Sequence, residues 1–335
     1  MVGRDVMARQ RAGTTPDLID RRASPDPADG LSHTALLYRD TAEYVRELVR
    51  FSQRAATAQA PLYLALPRSR LKLARKALPV LPPRSRIADI SDLGRNPARL
   101  IPAVQAFADE HPGEQVYCAW EPTWPGRSPG ELTEVGRHEA LCNLAFDHQP
   151  MTMLCLYSER GLSQNLLSDI ERTHPAVAGP GVGYDDGNPA GYLGAGVVPP
   201  RCDRSLPPPA PDAASITFTD HLAAAREFTA RHARAAGLSA ARTGDLTLAV
   251  NEIAANSLAY AGGGVLRIWC TGSEIICQLE DSGQIGDPLA GLLRRPPDAA
   301  GGHGLRLVNL VCDLVERRTG PAGTVTRLHL RRRGG

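Results

Sequence analysis

Between residues 179 and 214 the sequence places 7 Gly and 8 Pro in 36 positions. Proline fixes φ and removes a backbone donor, while glycine offers no side chain to pack. Such a stretch propagates neither helix nor strand ladder, has little to bury, and reads as a linker. A chain of 335 residues is too long for one ordinary core and fits about two domains. The break sets them at 31–178 and 215–331, after a charged, Pro-containing leader at 1–30 that reads as disordered.

Bulk properties narrow the partners. Hydrophobic residues make up 42% of the chain and charged residues 22%, as in globular proteins. The net charge of +2 demands no nucleic-acid backbone. No run approaches the roughly 18 apolar residues that span a bilayer, and residues 1–30 lack the apolar core of a signal peptide. The expectation is a cytosolic chain without a membrane or direct nucleic-acid partner. Cysteines at 118, 142, 155, 202, 270, 277 and 312 show no C-x-x-C pair and no finger-like spacing with histidine. Reduced, mostly buried thiols are expected, and metal binding through cysteine is not.

In the N-terminal half, β-rich runs at 62–66, 86–90, 115–120 and 151–157 alternate with helical patterns at 41–58, 71–77, 97–110 and 131–146. That alternation predicts a layered α/β domain with a largely parallel sheet. In the C-terminal half, helices near 220–236 and 240–260 precede a hairpin, 265–270 and 274–280 around Thr271-Gly272-Ser273. A helix near 303–316 and a strand at 324–330 follow. This order predicts an α+β sandwich, helices on one face of an antiparallel or mixed sheet.

Three elements of the C-terminal half carry candidate chemistry. In 245–260, Leu246, Ala249, Val250 and Ile253 form an apolar stripe, and Glu252 and Asn256 stack four apart at its border. An Asn carbonyl is a neutral hard ligand for Mg²⁺, and a carboxylate one turn away can accept a proton. Next, Asp281-Ser-Gly283 ends a strand, where the carboxylate can accept a bond from an adenine amino group and the glycine leaves room for the ring. Third, Gly301-Gly302-His303-Gly304 opens a helix, offering free amides and the positive dipole end to a phosphate. Singly, each has an ordinary reading: a solvated helix face, an Asp-Ser-Gly turn, a glycine hinge.

Their order, with Gly323-Thr324 before a last strand, resembles the N, G1 and G2 boxes of the Bergerat-fold (GHKL) ATPases. More narrowly it is similar to the anti-sigma-factor serine kinases of the RsbW type. The resemblance implies ATP and Mg²⁺ as cofactors, Asn256 holding the metal and Glu252 acting as general base. It implies that Asp281 and Gly283 form the adenine site, that Gly302 and Gly304 cradle the phosphates, and that Thr324 supports the adenine end. Segment 286–300 would be a mobile ATP lid, from which Arg294 or Arg295 could approach the γ-phosphate. The implied partners are a STAS-type anti-anti-sigma protein as substrate and a sigma factor bound when that antagonist is phosphorylated, with a homodimer as a family expectation. Two departures put turnover in question more than ATP binding. Ile285 stands where the family has a second glycine, and Tyr260 falls where a His or other polar residue is often found. A catalytically weak ATP-dependent binding module is therefore the alternative. A sensor histidine kinase would need a phosphoacceptor on a long helix where the Gly/Pro stretch lies, and His221 and His232 are poor substitutes.

The N-terminal half is similar to the MEDS sensory domain of DcmR-like regulators in the segments at 33–38, 94–99, 121–124, 138–143 and 172–175. That resemblance implies a RecA-like fold that senses small, hydrocarbon-derived ligands. No intact Walker A sequence is present, so a second ATPase is not expected. His33, Glu121, Trp124, Glu139 and His174 could line one sensory pocket, with the indole as its apolar wall.

Overall fold

A computed structural model of the chain describes residues 30–179, 189–294 and 302–332. Its N-terminal part runs β1 (Leu31–Tyr38), α1 (Thr41–Thr57), β2 (Leu62–Leu66), α2 (Arg68–Ala77), β3 (Arg86–Asp89), α3 (Ile90–Leu93) and α4 (Leu100–Asp109). It continues with β4 (Val116–Trp120), α5 (Pro129–Ala145), β5 (Met151–Ser158), α6 (Gln164–Thr173) and β6 (Ala176–Ala178). The six strands lie in the order β3-β2-β4-β5-β1-β6, and every pairing is parallel.

A parallel sheet must be covered on both faces, and the period of two along each strand divides its side chains accordingly. Ala35, Trp120, Met153 and Cys155 face a core with Ile101, Val104 and Phe107 of α4. Leu36, Leu64 and Leu154 face the other way, onto Tyr44, Leu48 and Phe51 of α1. The strands and helices expected in this half form within a few residues of their sequence limits. Unexpected are β1, α3, α6 and β6. In β1 the polar pair His33 and Thr34 interrupts the apolar run, although both are buried.

The C-terminal part runs β7 (Ala214–Phe218), α7 (Leu222–Ala235), α8 (Ala240–Ala261), β8 (Gly264–Cys270), β9 (Glu274–Asp281), α9 (His303–Val311), β10 (Leu314–Gly320) and β11 (Gly323–Arg331). Its five strands lie in the order β10-β11-β9-β8-β7, antiparallel throughout. The stripe Leu246, Ala249, Val250 and Ile253 of α8 packs on Leu266, Ile268, Leu279 and Leu328 of the sheet. Ser239 caps the start of α8 by accepting from the Arg242 amide, and Gly262, at φ 71°, ends it in the left-handed region. The architecture is thus an α/β domain with a parallel sheet followed by an α+β domain consistent with a GHKL-type fold.

One element is corrected. The helix expected over 303–316 stops at Val311, and 314–320 instead pairs with β11, from Leu314 opposite His329 to Gly320 opposite Gly323. The local apolar spacing suits a helix, but Leu314 and Val315 are buried as part of the sheet, and tertiary pairing overrides propensity.

The Gly/Pro-rich connection has neither helix nor strand over 189–213. Even so, Cys202 within it is fully buried, and the expectation of little to bury fails there. Arg201 pairs with Asp169 of α6, while Arg318 of β10 donates to the Arg204 carbonyl. The segment is therefore strapped to both domains. Among the described residues no helix is long and apolar enough to cross a membrane.

Candidate functional site

Because α8 is anchored by its apolar stripe, its border residues Glu252 and Asn256 are held half-buried at fixed positions. The Glu252 carboxylate meets the glycine turn directly: a Cβ at Gly304 would lie 2.4 Å from Glu252 Oε2. Gly302, at φ 86°, brings the chain into α9, and among the described residues no side chain caps that helix. The first-turn amides of α9 are therefore left open to an anion. Asn256, one turn beyond Glu252, makes no side-chain hydrogen bond among the described residues, leaving its carbonyl oxygen available.

The other end of this wall is tied down by short bonds. Ser257 Oγ donates to Asp281 Oδ2 at 2.6 Å, and the Gly283 amide donates to Asp281 Oδ1 at 2.8 Å. A carboxylate has about four lone-pair sites, so the two oxygens retain capacity for a ligand donor. Thr324, opposite Asp281 in the β9–β11 register, donates to the Gly283 carbonyl at 2.8 Å and shares a 2.9 Å bond with Thr319. The Ile285 amide donates to the same Thr319 hydroxyl at 3.0 Å. Gly323, at φ 115°, leaves no room for a side chain against β9, since a Cβ there would lie 2.1 Å from the Asp281 carbonyl oxygen.

Glu252 with Gly304 and Ser257 with Asp281 thus stand about 7.5 Å apart along α8, with Asn256 between them. The donor set fits a magnesium nucleotide. Open amides suit phosphate, a free carboxamide oxygen suits a hard cation, and a carboxylate with spare lone pairs suits an adenine amino group.

The expected lid behaves differently. Residues 286–294 form turns without helix or strand, and 295–300, with Arg295, lie outside the described residues. Leu292 is buried in the core cluster of the N-terminal domain. The Arg294 amide donates to Gln105 of α4 at 2.7 Å, and its guanidinium lies 3.9 Å from Asp109. The described half of this segment is therefore pinned to the neighbouring domain, and Arg294 with it. Tyr260 is 81% exposed.

Residues 217–330 match the family model of the histidine kinase-like ATPase domain, and residues 32–175 match that of MEDS, the MEthanogen/methylotroph, DcmR Sensory domain. The chain joins a MEDS domain to a GHKL-like ATP-binding domain. No curated protein matches it.

In the MEDS domain the structure divides the residues expected to share one pocket. His33 on β1, Glu139 on α5 and His174 at the end of α6 do meet, with Glu139 Oε2 lying 3.2 Å from His33 Nε2 and 3.4 Å from His174 Nε2. Glu121 does not join them. It follows Trp120 directly, and the strand alternation that turns Trp120 toward His33's face turns Glu121 toward the other. There it accepts from Tyr38 at 2.7 Å and lies 3.8 Å from Arg70 Nε. Burial pushes its carboxyl up to about 7, with Tyr38 and Arg70 pulling against that rise. Trp124 is a third location. The Arg127 guanidinium lies 3.6 Å from its ring centroid, and the indole lines a cleft of about 270 Å³ with Arg68, Asp92, Arg95 and Arg331. Arg331 comes from the ATP-binding domain, so this cleft lies at the seam.

Sequence reasoning overlooked Cys155, whose sulfur lies 3.1 Å from His33 Nε2 and 3.3 Å from Glu139 Oε2. The signal was present: Met153, Cys155 and Tyr157 alternate in β5 on the face that His33 shares.

The seam itself uses a segment that carried the MEDS resemblance, 94–99. Asn96 Nδ2 and Arg99 Nε each donate to the Asn309 carbonyl at 2.9 Å, and Arg99 Nη2 donates to the Cys312 carbonyl at 2.6 Å. These are carbonyls at the C-terminal end of α9, the helix whose other end is the glycine turn. A buried Arg318–Glu134 pair at 2.7 Å adds a second tie.

Proposed function

We propose that this chain is an anti-sigma regulatory factor: an ATP-dependent serine/threonine protein kinase that phosphorylates a STAS-type antagonist under control of its MEDS domain. The observation that carries the reading is the contact of the Glu252 carboxylate with the turn at Gly304, one helical turn from the free carboxamide of Asn256. A proton acceptor, a cation ligand and open helix amides at one place are the parts phosphoryl transfer requires. ATP would supply the phosphoryl group, with Mg²⁺ neutralising its charge. Glu252 would take the proton of the partner's serine hydroxyl as its oxygen bonds to phosphorus and the ADP oxygen departs. Asn256 would hold the cation, the amides after Gly302 the phosphates, and Asp281, Gly283 and Thr324 the adenine end. A sigma factor would be held when the antagonist is phosphorylated.

Control by the N-terminal domain is supported by the seam. Arg99 and Asn96 grip one end of α9, and Leu292 of the lid segment is packed in the MEDS core. A sensory ligand that favours one seam arrangement over another would bias the nucleotide site by its difference in affinity for the two. The second reading, an ATP-dependent binding module with little turnover, is favoured by Ile285 and by the exposed Tyr260. A histidine kinase is disfavoured by α7, which has 14 residues, and by His232, whose Nδ1 is bonded to the Phe228 carbonyl at 2.8 Å.

The test is incubation of the full chain with labelled ATP, Mg²⁺ and STAS proteins encoded by the same organism. Label on a serine of one of them supports the kinase. Nucleotide binding without any labelled protein supports the module, and no nucleotide binding at all overturns both.

A further inference from the structure

The MEDS cluster has an imbalance of protons. Asn143 Nδ2 donates to the carbonyls of Glu139, Ala140 and Thr173, which turns its oxygen toward His33 Nδ1 at 2.9 Å. That ring nitrogen must therefore carry hydrogen. His174 Nδ1 lies 2.9 Å from the Ile170 carbonyl, an acceptor only, so it carries hydrogen too. In the neutral rings both Nε2 lone pairs then point inward, at a carboxylate oxygen that is itself an acceptor. Among the described residues His174 Nε2 is buried without a hydrogen-bond partner. Cys155 Sγ completes the group and accepts the indole hydrogen of Trp120 at 2.7 Å. Four lone-pair donors thus converge with one thiol proton among them, all from residues no more than 3% exposed.

We propose that His33, Glu139, Cys155 and His174 bind a divalent transition metal of the zinc type in a closed, four-ligand site. The four ligand atoms all lie within 4.8 Å of one another. Four of the separations are 3.1 to 3.4 Å. Two nitrogen or oxygen ligands about 2.05 Å from zinc at the tetrahedral angle stand roughly 3.3 Å apart, and a sulfur ligand slightly further, so small shifts admit the ion. Two imidazoles, a thiolate and a carboxylate are a borderline-soft set that favours zinc over magnesium or calcium. The surroundings are those of metal ligands as well. Each ligating imidazole gives its other N–H to an oxygen, and the indole hydrogen rests on the sulfur. On binding, the thiol loses its proton to solvent and the sulfur lone pair bonds the metal. The ion would join β1, β5, α5 and the end of α6 at the centre of the sensory domain. This site does not depend on the kinase reading.

Metal content of the full chain, purified without a histidine tag, is expected at about one zinc per chain. Apoprotein refilled with Co²⁺ is expected to show a near-ultraviolet thiolate-to-cobalt charge-transfer band and an intense tetrahedral visible absorption. Cys155→Ser should abolish the first while circular dichroism shows the fold retained, and Cys270→Ser, at an exposed thiol remote in sequence, should leave both. Chelation should lower the melting temperature of the wild type and leave that of Cys155→Ser unchanged. Absence of metal after growth in zinc-supplemented medium, together with no cobalt spectrum, overturns the proposal and leaves a protonated histidine–glutamate cluster. A charge-transfer band lost in Cys270→Ser instead of Cys155→Ser overturns it equally.

Discussion

In the ATP-binding domain, Glu252, Asn256, Asp281, Gly302 and Gly304 come from three short motifs in chain order and stay partly open to solvent. In the MEDS domain, His33, Glu139, Cys155 and His174 come from four elements, are sealed, and are tied by their neighbours into one orientation. The first arrangement leaves its polar groups within reach of solvent and of a ligand. The second excludes water, so whatever fills it becomes part of the fold, and an unpaired group there costs several kcal/mol where an exposed one costs almost nothing. Two polar sites in one chain thus differ in what mutation does to them: function should fail first in one, folding first in the other.

The strongest test of that division is Glu252→Gln. It keeps shape and hydrogen bonding but removes the proton acceptor. Phosphotransfer is expected to fall by about 10²- to 10⁴-fold, the range of a lost general base, with thermal stability unchanged and ATP affinity altered less than about threefold. A titration showing ATP affinity lost in step with turnover would place Glu252 in binding rather than in proton transfer.

What could be read in advance follows the same division. The N-box, Asp-x-Gly and glycine-turn motifs were legible because their geometry is local: one helical turn separates Glu252 from Asn256, and one residue separates Asp281 from Gly283. The MEDS cluster was half legible. His33, Glu139 and His174 stood out by type, but joining them requires the β1–β5 pairing, and excluding Glu121 requires knowing which face follows Trp120. Cys155 was set aside by a search for short spacings, which sees fingers and not ligands brought together across a sheet. The helix misread over 314–316 failed for a similar reason, since its partner, β11, lies beyond a turn.

Gly323→Ala sharpens the comparison from the stability side of the ATP domain. At φ 115°, with a Cβ placed 2.1 Å from the Asp281 carbonyl oxygen, the strand ends must part. A loss of about 2–3 kcal/mol is expected in urea unfolding, with ATP affinity falling as Asp281 moves. Stability within a few tenths of a kcal/mol of wild type would mean that the β9–β11 approach is looser than described.

On the sealed side, Glu121 titrates with a sign that can be checked. Its folded value, about 7, lies above the ordinary carboxylate value. The protonated form is therefore favoured in the fold, and this stability is fully present below the unfolded value and lost as pH rises through about 7. The group accounts for roughly 2 kcal/mol between pH 5 and pH 7.5, at about 1.4 kcal/mol per unit of displacement. Glu121→Gln still accepts from Tyr38 and should flatten that slope. An unchanged dependence of the urea midpoint on pH would assign the slope to other groups.

Arg99→Ala asks whether the two domains behave as one. It removes the donors to the Asn309 and Cys312 carbonyls, bonds of a charged group that contribute about 1–2 kcal/mol together. Calorimetry is expected to show the unfolding of the two domains drawing apart, with the glycine-turn end of α9 exchanging its amide hydrogens faster. If the transitions move together and exchange is unchanged, the seam carries no coupling between sensor and nucleotide.

The smallest effect is expected where the chain departs from the GHKL pattern. Ile285, four residues past the end of β9, has a negative φ and its amide is bonded to Thr319. Replacing it by glycine adds freedom to the unfolded chain and removes a half-buried side chain, which together destabilise by about 0.5–1 kcal/mol. Nothing at the Glu252–Gly304 contact is touched, and the described part of segment 286–300 is held at Leu292 and Arg294 by the neighbouring domain, not at 285. Turnover should therefore change by less than about threefold, a difference of under 1 kcal/mol in the barrier. A gain of tenfold or more in Ile285→Gly would show that the path of the chain after β9, and not the MEDS contact at Leu292, limits the proposed reaction, which would reverse the order of control proposed from the seam.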